Sequence, residues 1–220
     1  MDPDRIAALR SHYAGIGLSE SDLQADPIAQ FERWLGEVIE LGVPEPNAMV
    51  LSTADSGGQP SSRHVLLKGV STDGFVFFTN YGSRKGRDLA ANPRASLCFP
   101  WFSIGRQVVV TGVVSKVTRA ETAAYFTSRP RASQLGTWAS ARQSAVVPSR
   151  QWLDAQYDEV QRRFDGVSVV PAPDFWGGYR VAPVTVEFWQ GRGARMHDRL
   201  RYRRSDDENP RGWTIERLSP

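Results

Sequence analysis

Between Ala48 and Val117 the chain breaks into short runs rich in Val, Phe and Leu: "AMVLSTA", "SSRHVLLKGV", "GFVFFTN", "ASLCFPWFS" and "RQVVVTGVVSKV". Runs of this length and composition read as strands. They are separated by "DSGGQ", "STDG" and one short helical stretch. A parallel pair needs a crossover of a dozen or more residues, and such tight turns leave no room for one, so the pairing is antiparallel. Three further strand-like runs, "WGGYRVAPVTVEFWQG", "ARMHDRLRYRR" and "WTIERL", close the chain. With helical patterns on either side, the class is α+β: an antiparallel sheet or barrel with helices around it.

The helical patterns are well delimited. In "DPIAQFERWLGEVIELG" Asp26 can cap, Pro27 suits the first helical position, and Phe31, Trp34, Leu35 and Val38 form one apolar stripe that Gly42 can end. Further helices are expected over "TRAETAAYFTSR" and near "PSRQWLDAQYDEVQRRF", with a Ser/Gly/Gln-rich segment between them. Residues 1–25 are expected to form a helical, mobile segment ahead of a single domain over 26–220. A chain of 220 residues can bury a sizeable core. Lys and Arg (27) exceed Asp and Glu (24) by only three, which requires neither nucleic acid nor a membrane surface as partner. The lone cysteine, Cys98, excludes a disulfide within the chain and reads as a core residue rather than a nucleophile. No apolar run reaches membrane-spanning length, and "MDPDRIAALRSHY" lacks a signal-peptide pattern, so a cytoplasmic location is expected.

Positive charge, rather than an acid–base pair, marks the candidate chemistry. Ser83 can cap a short helix through "RKGRDLAAN", yet Arg84 and Lys85 occupy its first turn. A helix N-terminus carries roughly half a positive charge, so each cation there costs ~0.3–1 kcal/mol where Asp or Glu would gain it. A phosphate seated on the turn would resolve the conflict, since free N–H groups, dipole and both side chains would converge on it. The alternative is two solvated surface cations. In "RMHDR", period-2 geometry places Arg195, His197 and Arg199 on one strand face, continued by Arg201 and Arg203, with Met196, Leu200 and Tyr202 opposite. A charge-guarded edge strand would look the same.

Tyr125 and Arg129 are four apart on a helix, and Ser133 follows the Pro130 break. A phenol, a guanidinium and a hydroxyl can converge on a phosphate, or form an ordinary helix C-terminus. In "RHVLLK", strict alternation puts Arg63 and Lys68 on opposite faces, so one site uses both only across a bulge, a strand end or a subunit boundary. His12, His64 and His197 lack metal-ligand spacing, and no metal is expected. No triphosphate-binding loop, dinucleotide fingerprint or nucleophile elbow occurs. Anion sites without a nucleophile fit a protein whose hard chemistry belongs to a bound cofactor.

The stretches "FERWL", "RHVLLK", "FFTNYGSRKGRDL", "NPRASLCFPW", "RQVVVTG", "YFTSRPRASQLGTWAS", "FWGGYRV", "EFWQG", "RMHDR" and "ERLSP" stand in the order seen in pyridoxamine 5′-phosphate oxidases. The chain resembles that family from about Leu9 onward. The resemblance implies a split β-barrel with flanking helices, non-covalently held FMN, and a homodimer whose active sites lie between subunits. By position it implies that Arg84 and Lys85 clamp the FMN phosphate, and that Arg63, His64, Val65, Leu66, Leu67 and Lys68, with Phe78 and Thr79, form the flavin-contacting strands. His64 stands where relatives are often aliphatic, and no role of its own is implied for it. Gln107, Gln143, Ser144, Trp189 and Arg199 match further FMN positions. Phe78 stands where some relatives have Tyr, so a backbone contact is expected there. "ASARQSA" is one residue longer than in some relatives.

For the substrate, the resemblance implies a phosphate grip by Lys68, Tyr125, Arg129 and Ser133. Arg195 and His197 match the catalytic residues over the pyridine ring, and Arg10 and Tyr13 match a segment that covers the site. The implied reaction is oxidation of pyridoxamine or pyridoxine 5′-phosphate to pyridoxal 5′-phosphate by O2, releasing hydrogen peroxide, and ammonia from the amine. Arg199, by its shared face with Arg195, is a candidate cation for the N1 side of the reduced flavin. The rivals are a flavin or deazaflavin reductase on the same scaffold, a non-catalytic pyridoxal-phosphate-binding protein, and a nucleic-acid-binding β protein. The small net charge counts against the last.

Overall fold

A computed structural model describes residues 17–205 and 212–220; Arg10, Tyr13 and most of the expected 1–25 segment lie outside the described residues. The strands are β1 (Ala48–Ala54), β2 (Pro60–Leu66), β3 (Gly69–Ser71), β4 (Gly74–Asn80), β5 (Arg94–Trp101), β6 (Arg106–Lys116), β7 (Trp176–Gln190), β8 (Asp198–Arg204) and β9 (Trp213–Arg217). They form one sheet in the order β2-β1-β5-β6-β7-β4-β3, with β8 on β7 and β9 on β8. The pairs β3–β4, β4–β7, β7–β8 and β8–β9 are antiparallel. Around the sheet run α1 (Pro27–Glu40), α2 (Arg84–Ala91), α3 (Arg119–Ser128), α4 (Arg131–Ala139) and α5 (Arg150–Arg163). The α+β class read from the turns and apolar runs is the class of the structure.

The chain divides into two compact units, one of Met1–Met49, Leu97–Val110 and Val184–Pro220, the other of Val50–Ser96 and Thr111–Pro183. In the first, α1 starts as expected: the Asp26 carboxylate accepts from the N–H groups of Ile28 and Ala29, and Pro27 fills a position that needs no donor. That cap stabilises by ~1 kcal/mol. Burial does more. Phe31, Trp34 and Val38 are fully buried, at ~1.5–3 kcal/mol each. Phe31 meets Phe99 at 4.8 Å and Trp34 meets Phe188 edge-on at 5.1 Å. Leu35, expected on the same stripe, is only half-buried. Gly42, at φ +67°, ends the helix by a left-handed turn. Cys98, on β5, is partly buried rather than in the core, and burial pushes its thiol up, away from the reactive thiolate.

In the second unit a core of Phe126, Leu135, Val160, Phe164, Val170 and Trp176 joins α3, α4 and α5 to the start of β7. Helix α4 occupies the segment that composition marked only as Ser/Gly/Gln-rich. Its first turn has no side-chain cap. Instead Gln134 Nε2, buried, donates to the carbonyls of Phe126, Thr127 and Arg129, at the end of α3 where carbonyls run out of helical partners; the Phe126 oxygen also accepts the Arg129 N–H. One side chain thereby stitches two helices into an elbow at Pro130.

The RMHDR reading needs correction. β8 begins at Asp198, so Arg195 and His197 are not on a strand face with Arg199. Arg195 ends a 3-10 turn over Gly193–Arg195, in which Ala194 (φ +54°) and Arg195 (φ +62°) are left-handed. A side chain there costs about 1 kcal/mol or more per residue, and because the turn's glycine, Gly193, stands before the two left-handed positions rather than at them, the sequence does not announce such a bend. From Asp198 onward alternation holds: Asp198, Leu200 and Tyr202 are buried, while Arg199, Arg201 and Arg203 face outward.

Candidate functional site

Helix α2 begins as its sequence predicts. Ser83 is the N-cap, its hydroxyl accepting from Gly86 N–H at 3.3 Å, and Arg84 and Lys85 are the first two helical residues. Gly86 lets the turn close onto β4, because a Cβ there would lie 2.1 Å from the carbonyl oxygen of Tyr81. The two cations then part ways. Arg84 is exposed, whereas the Lys85 side chain turns inward and is 9% exposed. Its ammonium donates to Thr79 Oγ1 at 3.1 Å and to Ser83 Oγ at 3.4 Å. No carboxylate pairs with it among the described residues. Burial, with Arg63 nearby, pushes its pKa below the ordinary lysine value. A buried ammonium at a helix N-terminus, held by hydroxyls alone, is the donor set for an anion.

Lys85 lines a pocket of about 650 Å³, within the range of small-molecule and cofactor sites. All of its lining belongs to the second unit. From β2 and the link after it come His64, Val65, Leu66 and Lys68; from β4, Phe78, Thr79 and Asn80. From the α3–α4 elbow come Tyr125, Arg129, Ser133 and Thr137, and from the segment beyond it Ser140 and Gln143. β2 ends at Leu66, so Lys68 lies past the strand and escapes the alternation that set it opposite Arg63.

Aromatic rings wall one side. Phe78 stacks on Tyr125 at 4.0 Å and on Trp176 at 5.4 Å, and the Arg129 guanidinium lies over Trp176 at 4.9 Å. Gly178 makes room for this stack, since a Cβ would fall 2.8 Å from Phe78 Cε1 and 2.6 Å from Val117 Cγ2. Thr137 Oγ1 accepts from Arg129 Nη1 at 2.8 Å while donating to the Ser133 carbonyl, fixing the guanidinium over the ring. Burial lowers the Arg129 pKa and raises that of Tyr125. Asn80, itself buried, donates to the carbonyls of Ser140 and Ala141 and so ties the segment carrying Gln143 against β4. Thr79 Oγ1 donates to Gln143 Oε1 at 3.4 Å.

Other expected residues stand elsewhere. The Arg63 side chain is tied beside the pocket rather than into it: it donates to Thr53 Oγ1 at 2.7 Å and to Ser61 Oγ, and lies 3.9 Å from the buried carboxylate of Asp88. Burial pushes that carboxyl up, but hydrogen bonds from Thr53 and Ser61 and the charges of Arg63 and Arg84 outweigh it, leaving its pKa lowered. Leu67 is buried, and Ser144, at φ +70°, belongs to an exposed turn. Gln107, Trp189, Arg195, His197 and Arg199 belong to the first unit. There the Arg199 guanidinium forms a two-pronged pair with Glu187, Nε–Oε1 2.7 Å and Nη2–Oε2 3.1 Å, which raises its pKa. His197 Nδ1 accepts the Arg192 N–H at 3.0 Å, and its ring lies 4.7 Å from Trp189. Sequence reasoning missed Asn80, Thr137 and Trp176. All three stand within the motifs above, but the part of Asn80 depends on contacts 60 or more residues away, that of Trp176 on ring stacking, and that of Thr137 on the bend at Pro130 that brings it to Arg129.

The sheet is that of the split-barrel FMN-binding oxidoreductases. Residues 35–164 match the family model "Pyridoxamine 5'-phosphate oxidase", and residues 176–220 match "Pyridoxine 5'-phosphate oxidase C-terminal dimerisation region". The chain belongs to the pyridoxamine 5′-phosphate oxidase family. It is 69% identical over 204 residues to the pyridoxine/pyridoxamine 5′-phosphate oxidase of Acidothermus cellulolyticus (93% of this chain, 90% of the relative). It is 59% identical over 216 residues to that of Salinispora arenicola (97% and 96%). Among solved structures, PhzG of Burkholderia lata, in complex with tetrahydrophenazine-1-carboxylic acid, superposes with a TM-score of 0.86 at 30% identity (96% of this chain, 100% of that one). No helix among the described residues is long and apolar enough to cross a membrane.

Proposed function

We propose that the chain is an FMN-dependent oxidase of pyridoxamine and pyridoxine 5′-phosphates, working as a cytoplasmic homodimer. The buried Lys85 ammonium, which pairs with no carboxylate among the described residues, carries the reading. The donors fit the cofactor: Arg84, Lys85 and the first N–H groups of α2 would hold the FMN phosphate, and Val65, Leu66, Phe78 and Thr79 would contact the flavin. When bound, FMN supplies the two-electron acceptor, with O2 the final oxidant, hydrogen peroxide the by-product, and ammonia leaving from the amine.

The protein's own part is binding and orientation. Lys68, Tyr125, Arg129 and Ser133 hold the substrate phosphate, and Arg129 is kept in place by Thr137 and Trp176. Anchoring one end lets the reacting carbon be held for hydride transfer without further loss of entropy. Arg195 and His197 position the pyridine ring, and the 176–220 region brings two subunits together so that each site lies between them. The high identity to curated pyridoxine/pyridoxamine 5′-phosphate oxidases supports this substrate class. A tetrahydrophenazine-type acid is a second reading, favoured by the likeness to PhzG. That ligand offers one carboxylate, whereas the grip gathers two cations and two hydroxyls, which matches a phosphate better.

The purified protein should show flavin absorption bands that bleach on anaerobic addition of pyridoxamine 5′-phosphate and return with air, one peroxide forming per turnover. Bands that persist with the phosphorylated vitamers, yet bleach with a nicotinamide cofactor, would refute the reading in favour of a reductase.

A further inference from the structure

We propose that Asp198 is a positioning residue, which holds the turn bearing Arg195 and His197 in working geometry. The inference rests on the substrate-facing roles proposed above for those two side chains. Asp198 is 6% exposed and collects three donors from distant parts of the chain. Its Oδ2 accepts from the backbone N–H of Leu18 at 2.9 Å and from Arg192 Nη1 at 3.4 Å, and its Oδ1 from Arg217 Nη1 at 2.6 Å. Arg217 extends the lock, donating also to the Leu18 carbonyl at 3.1 Å and to both carboxylate oxygens of Glu20 at 2.9 Å. All of these residues lie in one compact unit. The carboxylate thus sits where the residues 17–20 segment, the 192–197 turn and β9 meet.

The turn needs such a restraint. Ala194 and Arg195 are consecutive non-glycine residues in the left-handed region, a conformation that persists only where the surroundings over-determine it. Arg192 is clamped at both ends. Its guanidinium is held by Asp198, and its backbone N–H donates to His197 Nδ1 at 3.0 Å. That bond makes Nδ1 the acceptor, so a neutral His197 carries its proton on Nε2. Asp198 fixes Arg192, Arg192 fixes the ring and tautomer of His197, and the strained residues between them present Arg195. The carboxylate remains charged in this position: burial raises its pKa, but the Leu18 and Arg217 hydrogen bonds and the charges of Arg192 and Arg217 more than offset that.

The test is a mutant cycle on the flavin-loaded enzyme, with Asp198→Ala and Arg195→Ala singly and together. Steady-state kinetics with pyridoxamine 5′-phosphate are read beside flavin content, melting temperature and the calorimetric Kd for pyridoxal 5′-phosphate, all on the flavin-loaded enzyme. Expected for Asp198→Ala is a kcat/KM lower by roughly 10- to 100-fold and a weaker pyridoxal phosphate Kd, with flavin content unchanged. In the Arg195→Ala background the same substitution should cost several-fold less than it does alone, because only the His197 part of its effect remains. An equal loss in both backgrounds, or no loss, overturns the proposal. If the alanine variant does not fold, Asp198→Asn and Arg192→Ala take its place in the cycle, with the same two readings. Normal turnover by Arg195→Ala alone overturns the underlying reading of the site, and this inference with it; a normal Arg195 effect with additive Asp198 overturns this inference alone.

Discussion

Replacing Lys85 by Met separates a ligand-binding lysine from a structural one, because the two roles predict opposite signs. Met keeps an unbranched stem in the space beside Thr79 and removes the charge. In the flavin-free protein Lys85 is 9% exposed and its ammonium donates, among the described residues, only to two hydroxyls, at 3.1 and 3.4 Å, so little repays its desolvation. Flavin-free Lys85→Met should therefore melt no lower than the parent. With FMN the balance reverses: a charge-assisted hydrogen bond to a phosphate is worth ~1.5–3 kcal/mol, or a Kd raised roughly 10- to 150-fold. Quenching of flavin fluorescence gives both affinities, and riboflavin, which lacks the phosphate, is the control. The parent should prefer FMN to riboflavin by far more than the variant does, and riboflavin should bind the two alike. An FMN affinity within twofold of the parent would refute the argument; so would a lower melting temperature in the flavin-free variant together with equal losses for FMN and riboflavin.

Because the Lys85 pKa is already lowered in the free protein and a bound anion raises it, FMN affinity should begin to fall on the alkaline side below 10.5, the ordinary lysine value, in fluorescence titrations across pH. Asp88→Asn tests the opposite limb. A carboxyl whose folded pKa is lowered contributes stability that is full above its ordinary value of 3.8 and lost as pH falls through the lowered value. The variant should be less stable in urea at neutral pH, by on the order of 1–3 kcal/mol, and converge with the parent in acid. Gly178→Ala should drive the Phe78 ring from its stack, costing ~1–3 kcal/mol by thermal melting and weakening FMN. Arg129→Lys gives up the lie over Trp176 and the Nη1 hydrogen bond to Thr137, so KM for the phosphorylated substrate should rise severalfold while kcat changes little.

Local signals made most of the fold legible. β1 and β4 coincide with "AMVLSTA" and "GFVFFTN", because tight turns bound each run and alternation holds within β1. The caps at Asp26 and Ser83 were equally plain, their side chains being the partners of the first N–H groups. Legibility failed where long-range contacts replaced local chemistry. Helix α4 lacks a capping side chain and is held by Gln134 reaching back to α3. The bend puts its left-handed residues at Ala194 and Arg195 rather than at Gly193, so an alternating pattern ran on through it. In the site, the unfavourable dipole position flagged Arg84 and Lys85 together. That only Lys85 turns inward depends on Thr79 beneath it, which the residue pattern did not reveal. The pairing of Arg199 with Glu187 comes from β7–β8 register, invisible without the hairpin.

The elbow at Pro130 makes chain length there as consequential as chemistry. One residue caps α3, the next opens α4, and no spare loop absorbs a change. Each inserted residue would turn α4 by about 100° about its own axis and slide it about 1.5 Å. Ser133 and Thr137 would swing off the pocket, and Gln134 would lose all three carbonyls. Substitutions in this hinge can be accommodated one side chain at a time. A single-codon insertion or deletion would dismantle the phosphate grip and the helix pair in one event.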